Sequence, residues 1–256
     1  MLFDITHTLY LIISYLLTAG GLVACFMLVK KEEHKILILK ISALVTVAIH
    51  YSSLWVDFFA TGEPDLQDSM LLPIYPCNIC MWLLLITSFC KKREGVAFRL
   101  LSEFTFWAGT VCGTIGILLN ENYASTPSLA DYDILKGLLS HSTMVFGALY
   151  LLVSGTVKIR VFNVISAGCG LCLFLVNGAI INGLFALFSL EPCNCMYLQE
   201  PPFPNMPWLQ NYVMGAAAVL LVFAITSIYE WIRLEKEERW YFKLKEKFNA
   251  KKERNL

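Results

Sequence analysis

"LLPIYPCNICMWLLLITSFCKKR", residues 71–93, decides how the rest of the chain is read. Pro73 and Pro76 end any helix arriving from upstream, and Pro76 suits the first position of a new one. From Met81 to Phe89 the run is apolar, and it is followed by Lys91, Lys92 and Arg93. An apolar stretch closed by bases has the character of a membrane helix with a cytoplasmic flank. Two thiols, Cys77 and Cys80, stand at its mouth.

The remaining sequence repeats that pattern. The chain is 57% hydrophobic and 16% charged, with a mean hydropathy of +0.61, a balance that a soluble domain rarely carries. Apolar segments cover about 7–29, 36–60, 73–90, 100–120, 137–157, 161–188 and 209–232. Each is near the ~20 residues that cross ~30 Å of hydrocarbon. The third is short, and the sixth is long enough to tilt or break near Gly178 or Gly183. The expected fold is therefore all-α: a polytopic seven-transmembrane-helix bundle over residues 1–233, followed by a basic tail over 234–256. The N-terminus carries Asp4 and His7 and lacks the positive region of a signal peptide, so the first segment is expected to be retained.

Charge sets the orientation. Lys30, Lys31, Lys35 and Lys40 flank the first turn; Lys91, Lys92, Arg93 and Arg99 flank the third; Lys158 and Arg160 mark the fifth. Nine more bases lie between Arg233 and Arg254, and only Lys136 falls on the other side. The outer loops hold Glu63, Asp65, Asp68, Glu121, Asp131, Asp133, Glu191 and Glu200 instead. The positive-inside rule puts the N-terminus outside and the C-terminus in the cytoplasm of a multi-pass cell-membrane protein. The tail mixes bases with Trp240, Tyr241, Phe242, Leu244 and Phe248. It reads either as an amphipathic helix on the inner surface or as a solvated basic tail. Nothing points to nucleic-acid binding.

Polar groups within membrane helices are costly and so become candidates. His50 lies ~15 Å below the outer end of the second segment at 1.5 Å per residue, and Asp57 follows on the same face. His141, between Ser140 and Ser142, is expected in the first outer turn of the fifth segment. Asn177 and Asn182 of the sixth suit interhelical hydrogen bonding. Five cysteines, Cys25, Cys90, Cys112, Cys169 and Cys172, sit in apolar surroundings, where a thiol acts as a small hydrophobe. Cys77, Cys80, Cys193 and Cys195 lie at the outer face. Cys77 falls in the first turn of its helix, where backbone N–H groups favour a thiolate.

Three chemistries fit four outer thiols. A thiol–disulfide relay would use Cys77–Cys80 and Cys193/Cys195. A Cys₄ zinc site is formally possible, but CxC spacing is poor for it, and no metal is expected. In the third, Cys77 is a nucleophile and His141 its base, for acyl transfer needing no soluble cofactor. Depth favours the third, because phospholipid ester carbonyls lie at the hydrocarbon edge. A transporter with His50 and Asp57 as a proton relay is a further class. GxSxG, HExxH, His-x4-Asp and P-loop signatures are missing.

The stretch "LPIYPCNICMWL" resembles the YwaF-like integral membrane proteins, which have a Pro-x-x-x-Cys-Asn/Asp run opening a helix. "LSHSTMVF" resembles their His-containing segment, and "CNCMYLQEPP" their Asn-Tyr-Met-Tyr-Leu segment with its Pro-rich turn. That family is similar to an animal membrane enzyme that moves acyl chains between glycerophospholipids with a cysteine and a histidine. The resemblance implies Cys77 as nucleophile and His141 as general base, with phospholipid and lysophospholipid as partners. Asn78 or Asn194 would hold an oxyanion or headgroup, and His50 and Asp57 would orient the site. Tyr197 and Asn182 complete the expected substrate-binding set. Cys195 departs from the family's usual aromatic and Cys80 from its pattern, consistent with a lineage-specific disulfide from Cys80 to Cys193 or Cys195. The loop "EPCNCMYLQEPPFPNMP" would cap a pocket between the second, third, fifth and sixth segments.

Overall fold

The computed structural model describes residues 2–63, 72–202 and 206–246. Asp65, Asp68, Phe248 and the rest of the tail lie outside the described residues. The helices are α1 (Ile5–Leu28), α2 (Glu32–Thr61), α3 (Pro76–Phe89), α4 (Val96–Leu118), α5 (Glu121–Ser125), α6 (Tyr132–Val153), α7 (Asn163–Leu187) and α8 (Asn211–Arg233). Six candidate spans are long and apolar enough to cross a membrane: α1, α2, α4 with α5, α6, α7 and α8. α3 differs. Its 14 residues rise about 21 Å at 1.5 Å each, short of the ~30 Å of hydrocarbon. The described chain thus holds six full-length candidates and one short apolar helix rather than seven equivalent ones.

Contacts at the two ends show that the helices alternate in direction. At one end, Lys35 of α2, Arg93 after α3, Phe98 of α4 and Ser154 after α6 line one cavity. At that end also, Val161 N–H before α7 donates to Glu230 Oε1 at the close of α8, 2.8 Å away. At the other end, His7 of α1 bonds to the Ile117 carbonyl of α4, and Tyr132 OH of α6 donates to Ser52 of α2. Among the described residues, alternation puts the bases that flank α2, α3, α4 and α7 at one end of the bundle, with Lys136 at the other.

α6 is the central helix, packed against α1, α2, α3 and α4, while α8 leans on α7. Hydroxyls tie the helices together where hydrocarbon offers no other partner. Thr46 Oγ1 of α2 donates to Thr143 Oγ1 of α6. Thr87 and Thr105 join α3 to α4 at 3.0 Å. Tyr10 and Ser14 of α1 both reach Ser142 at 2.8 Å. Two carboxylates are buried as well. Glu103 of α4 accepts from Ser166 of α7, and Glu230 accepts from the backbone N–H groups of Val161 and Trp240. Trp240 also packs on Phe223 with ring centroids 5.7 Å apart. The start of the tail is therefore tied to α8.

Two expectations are corrected. α7 is continuous from Asn163 to Leu187; it does not break at Gly178 or Gly183. Gly178 serves close approach instead: a Cβ there would meet Leu198 Cγ and the Cys195 carbonyl, each at 3.0 Å. α6 begins at Tyr132, capped by Asp131, whose side chain accepts from Asp133 and Ile134 N–H. His141 is consequently not in the first turn. It lies nine residues in, about 14 Å from the helix start at 1.5 Å per residue.

Candidate functional site

The entry to α3 is built by its sequence. Tyr75 precedes Pro76 and is extended (φ −99°, ψ 152°), as a residue before proline prefers. Pro76 opens the helix, giving up an N–H that would have no helical partner. Asn78 Oδ1 accepts the Tyr75 N–H at 3.0 Å, so the first turn is capped by its own third residue. The other end of this buried amide reaches α2, where Asn78 Nδ2 donates to His50 Nε2 at 3.4 Å.

That bond fixes the depth of α3. α2 runs from His50 to Thr61 before it ends, about 16 Å of helix at 1.5 Å per residue. α3 therefore starts well short of the C-terminal tip of its neighbour, and an extended lead takes the place of further turns. Irregular backbone at membrane depth needs internal partners, and here it has them. The Pro73 carbonyl accepts from Asn177 Nδ2 at 2.9 Å. The Ile74 carbonyl accepts from Met196 N–H at 2.9 Å. The lead is thus held by α7 and by the loop after it.

The same loop folds over the site. Asn182 of α7 clamps Cys195 with both ends of its amide: Oδ1 accepts the Cys195 N–H at 2.9 Å, and Nδ2 donates to its carbonyl at 3.3 Å. Met196 and Tyr197 take φ of 56° and 53°, a conformation uncommon for residues with side chains. The Tyr197 ring lies 6.0 Å from that of Tyr75. Asn194 closes its own loop, accepting from Gln199 and Glu200 N–H at 3.1 Å each.

Cys77 is partly buried and packs against the core that includes Cys80 and Met144; Tyr51 and Cys112 pack against that core beside it. The Asn78 N–H donates to the Tyr75 carbonyl at 3.0 Å, and Cys112 is the electrostatic neighbour of Cys77. Cys80 is fully buried, with Cys112 as a close neighbour. The sequence reading assigned Cys112 no role; the fold places it beside the two thiols at the mouth of α3. Cys195 is a separate thiol. It contacts the Pro73 carbonyl and Asn177 Nδ2 at 3.7 Å. Burial, with Cys193 beside it, pushes its pKa up to about 12. None of the nine cysteines forms a disulfide in the structure, and Cys80 neighbours Cys112 rather than being bridged to Cys193 or Cys195.

His141 is oriented by its own helix. Nδ1–H donates to the Gly137 carbonyl at 2.7 Å, which leaves Nε2 as the acceptor nitrogen of the neutral ring. The ring rests on Gly116 of α4. Cys112 and Gly116 are one turn apart on one face of α4. Cys77 beside the first and His141 on the second thus lie over adjacent turns of that helix. "VCGTIGIL", residues 111–118, carried the signal: small residues at helical spacing mark a face that neighbours approach closely. His50 belongs to the same neighbourhood, since His141 and Lys136 both act on it electrostatically. Asp57 is half-buried two turns further along α2, and its backbone carbonyl accepts from Thr61. Among the described residues, no three His, Cys, Asp or Glu side chains are grouped to hold a metal.

The model of the TMEM164 family matches residues 2–229. Neither the curated proteins nor the solved structures give a match.

Proposed function

The chain belongs to the TMEM164 family, and from that premise we propose that it is a membrane acyltransferase. It moves a fatty-acyl chain from a phospholipid through a Cys77 thioester to a lysophospholipid or another acceptor at the outer face. In this reading the chain is a multi-pass cell-membrane protein. α3 counts as a short seventh traversal, the N-terminus is outside and the C-terminus is cytoplasmic. The likeness of the α3 entry, the His141 segment and the Cys195 loop to YwaF-like proteins, and through them to the animal phospholipid enzyme, supports the choice of acyl transfer.

One observation carries the chemistry: the hydrogen bond from His141 Nδ1–H to Gly137, which turns Nε2 into a proton acceptor against Gly116 of α4, one turn from Cys112, the neighbour of Cys77. Cys77 Sγ attacks the ester carbonyl carbon as its proton passes to His141 Nε2. The C–O bond to the glycerol oxygen breaks, and that oxygen takes the proton and leaves as a lysolipid. The acceptor hydroxyl then attacks the thioester and gives its proton to Nε2. Sγ leaves and recovers that proton. The Cys77 backbone N–H, with the second Asn78 Nδ2 hydrogen, would supply donors for the oxyanion.

The test is intact-mass spectrometry of the purified chain. A hydroxylamine-labile acyl adduct on Cys77 is the expected result; acyl transfer by Cys77→Ala refutes the proposal. The runner-up, a thiol–disulfide oxidoreductase, takes its support from the meeting of Cys77, Cys80 and Cys112. It requires mixed disulfides that acyl transfer does not form.

A further inference from the structure

We propose that the cavity at the basic end of the bundle binds a phosphoryl anion, whether the phosphate of a lipid headgroup or phosphate itself. The cavity measures about 380 Å³, within the ~300–1,000 Å³ of small-ligand sites. Three separate stretches of chain converge on it. Lys35 comes from the first turn of α2, Arg93 from the link between α3 and α4, and Ser154 and Thr156 from the turn after α6. That turn is set by Gly155, whose φ of +81° returns the chain toward α6 and lets Val157 N–H reach the Leu151 carbonyl.

The charge on this cavity is positive. Lys35 and Arg93 face a single carboxylate, Glu32, and Lys30 lies in the adjoining cavity that shares Lys35 and Ser154. Glu32 pairs with Lys35 at 2.6 Å, yet its side chain is 75% exposed. A pair that open is weakly held, so Glu32 is a replaceable stand-in for a better anion. Arg93 is preset for one. Nη2–H donates to the Ser88 carbonyl at 2.6 Å, and the guanidinium lies 5.9 Å from the Phe98 ring centre. These contacts fix the plane of the fork and leave further N–H donors for a bidentate phosphate contact. Burial lowers the Arg93 pKa, and Glu32 works against that shift. The site uses no residue of the α3 entry and stands apart from the acyl-transfer reading.

The experiment uses the full chain in phosphatidylcholine vesicles with and without phosphatidylglycerol, followed by native mass spectrometry of retained lipid. A second arm adds inorganic phosphate to lipid-free protein in neutral detergent and follows the melting midpoint. Lys35→Gln and Arg93→Gln should each weaken binding about tenfold, the share of one charge-assisted hydrogen bond. Glu32→Gln should strengthen it, a gain that misfolding cannot imitate. Retention of phosphatidylglycerol without a response to inorganic phosphate assigns the site to a headgroup. A melting shift with inorganic phosphate that the two variants abolish assigns it to the free anion. Failure of the wild type to bind either probe overturns the proposal. So does binding that all three substitutions leave unchanged.

Discussion

Gly116→Ala tests the proposed catalytic geometry without replacing either proposed catalytic residue. The Cβ of alanine would overlap His141 Cδ2 and Nε2 and would lie 2.9 Å from Cγ. Ordinary carbon contacts begin near ~3.5 Å, so the ring has to retreat by about 1 Å. It cannot do so without cost, because Nδ1–H is held to the Gly137 carbonyl at 2.7 Å. Losing that bond costs about 1 kcal/mol, and the overpacked contact adds about 1–3 kcal/mol. A base displaced by about 1 Å typically loses ~10²-fold in rate. The expected outcome is a folded, membrane-inserted protein whose Cys77 acylation is ~10²-fold slower, read by time-resolved intact mass after mixing with phospholipid vesicles. Gly20 meets no heavy atom within 4 Å, so Gly20→Ala is the control and should keep its rate. Wild-type acylation by a folded Gly116→Ala protein refutes the placement of His141 as base.

Further outcomes follow from other contacts. His141→Ala should leave slow Cys77 acylation, since a general base typically contributes 10²–10⁴-fold; complete loss would show the ring doing more than moving a proton. Replacing Cys193 and Cys195 together by serine should leave acyl transfer intact; a dead double variant favours the thiol–disulfide reading. Asn182→Leu removes both bonds to Cys195 and should cost about 2 kcal/mol, read as a lower melting midpoint with faster hydrogen exchange at Cys195. Asp4 accepts from His7 N–H and Tyr123 OH, and both hold its carboxyl below the usual carboxylate range. A depressed native pKa stabilises the folded form above the unfolded value, and that contribution is lost as pH falls through the native one. The N-terminus of α1 should therefore loosen in acid, and Asp4→Asn should abolish that pH dependence in hydrogen exchange.

Much of the architecture was legible because hydropathy and charge act locally. The apolar runs and the side on which their bases fall need no knowledge of neighbours. Segment seven, read over about 209–232, is α8 over Asn211–Arg233, and Pro76 opens α3 as its type predicts. What escaped the sequence was set by contact between distant segments. Cys112 looked like one buried thiol among five, and only the docking of α3 on α4 brings it to Cys80. His7 served only to argue against a signal peptide. The fold buries it completely, bonded to Ile117 and stacked on Tyr123. His141 was misplaced because Asp131 starts α6 before the apolar run does. Capping chemistry, not hydropathy, decides that boundary.

The sunken start of α3 bears on the lifetime of any acylated enzyme. A thioester at Cys77 would lie beneath a lid latched at Cys195 and beside backbone whose carbonyls are already occupied by Asn177 and Met196. Those two carbonyls offer stray water no foothold, which would slow hydrolysis of such a thioester. In the proposed reaction the acyl group would then wait for a membrane-borne alcohol, and the chemistry would partition toward exchange of tails rather than release of fatty acid.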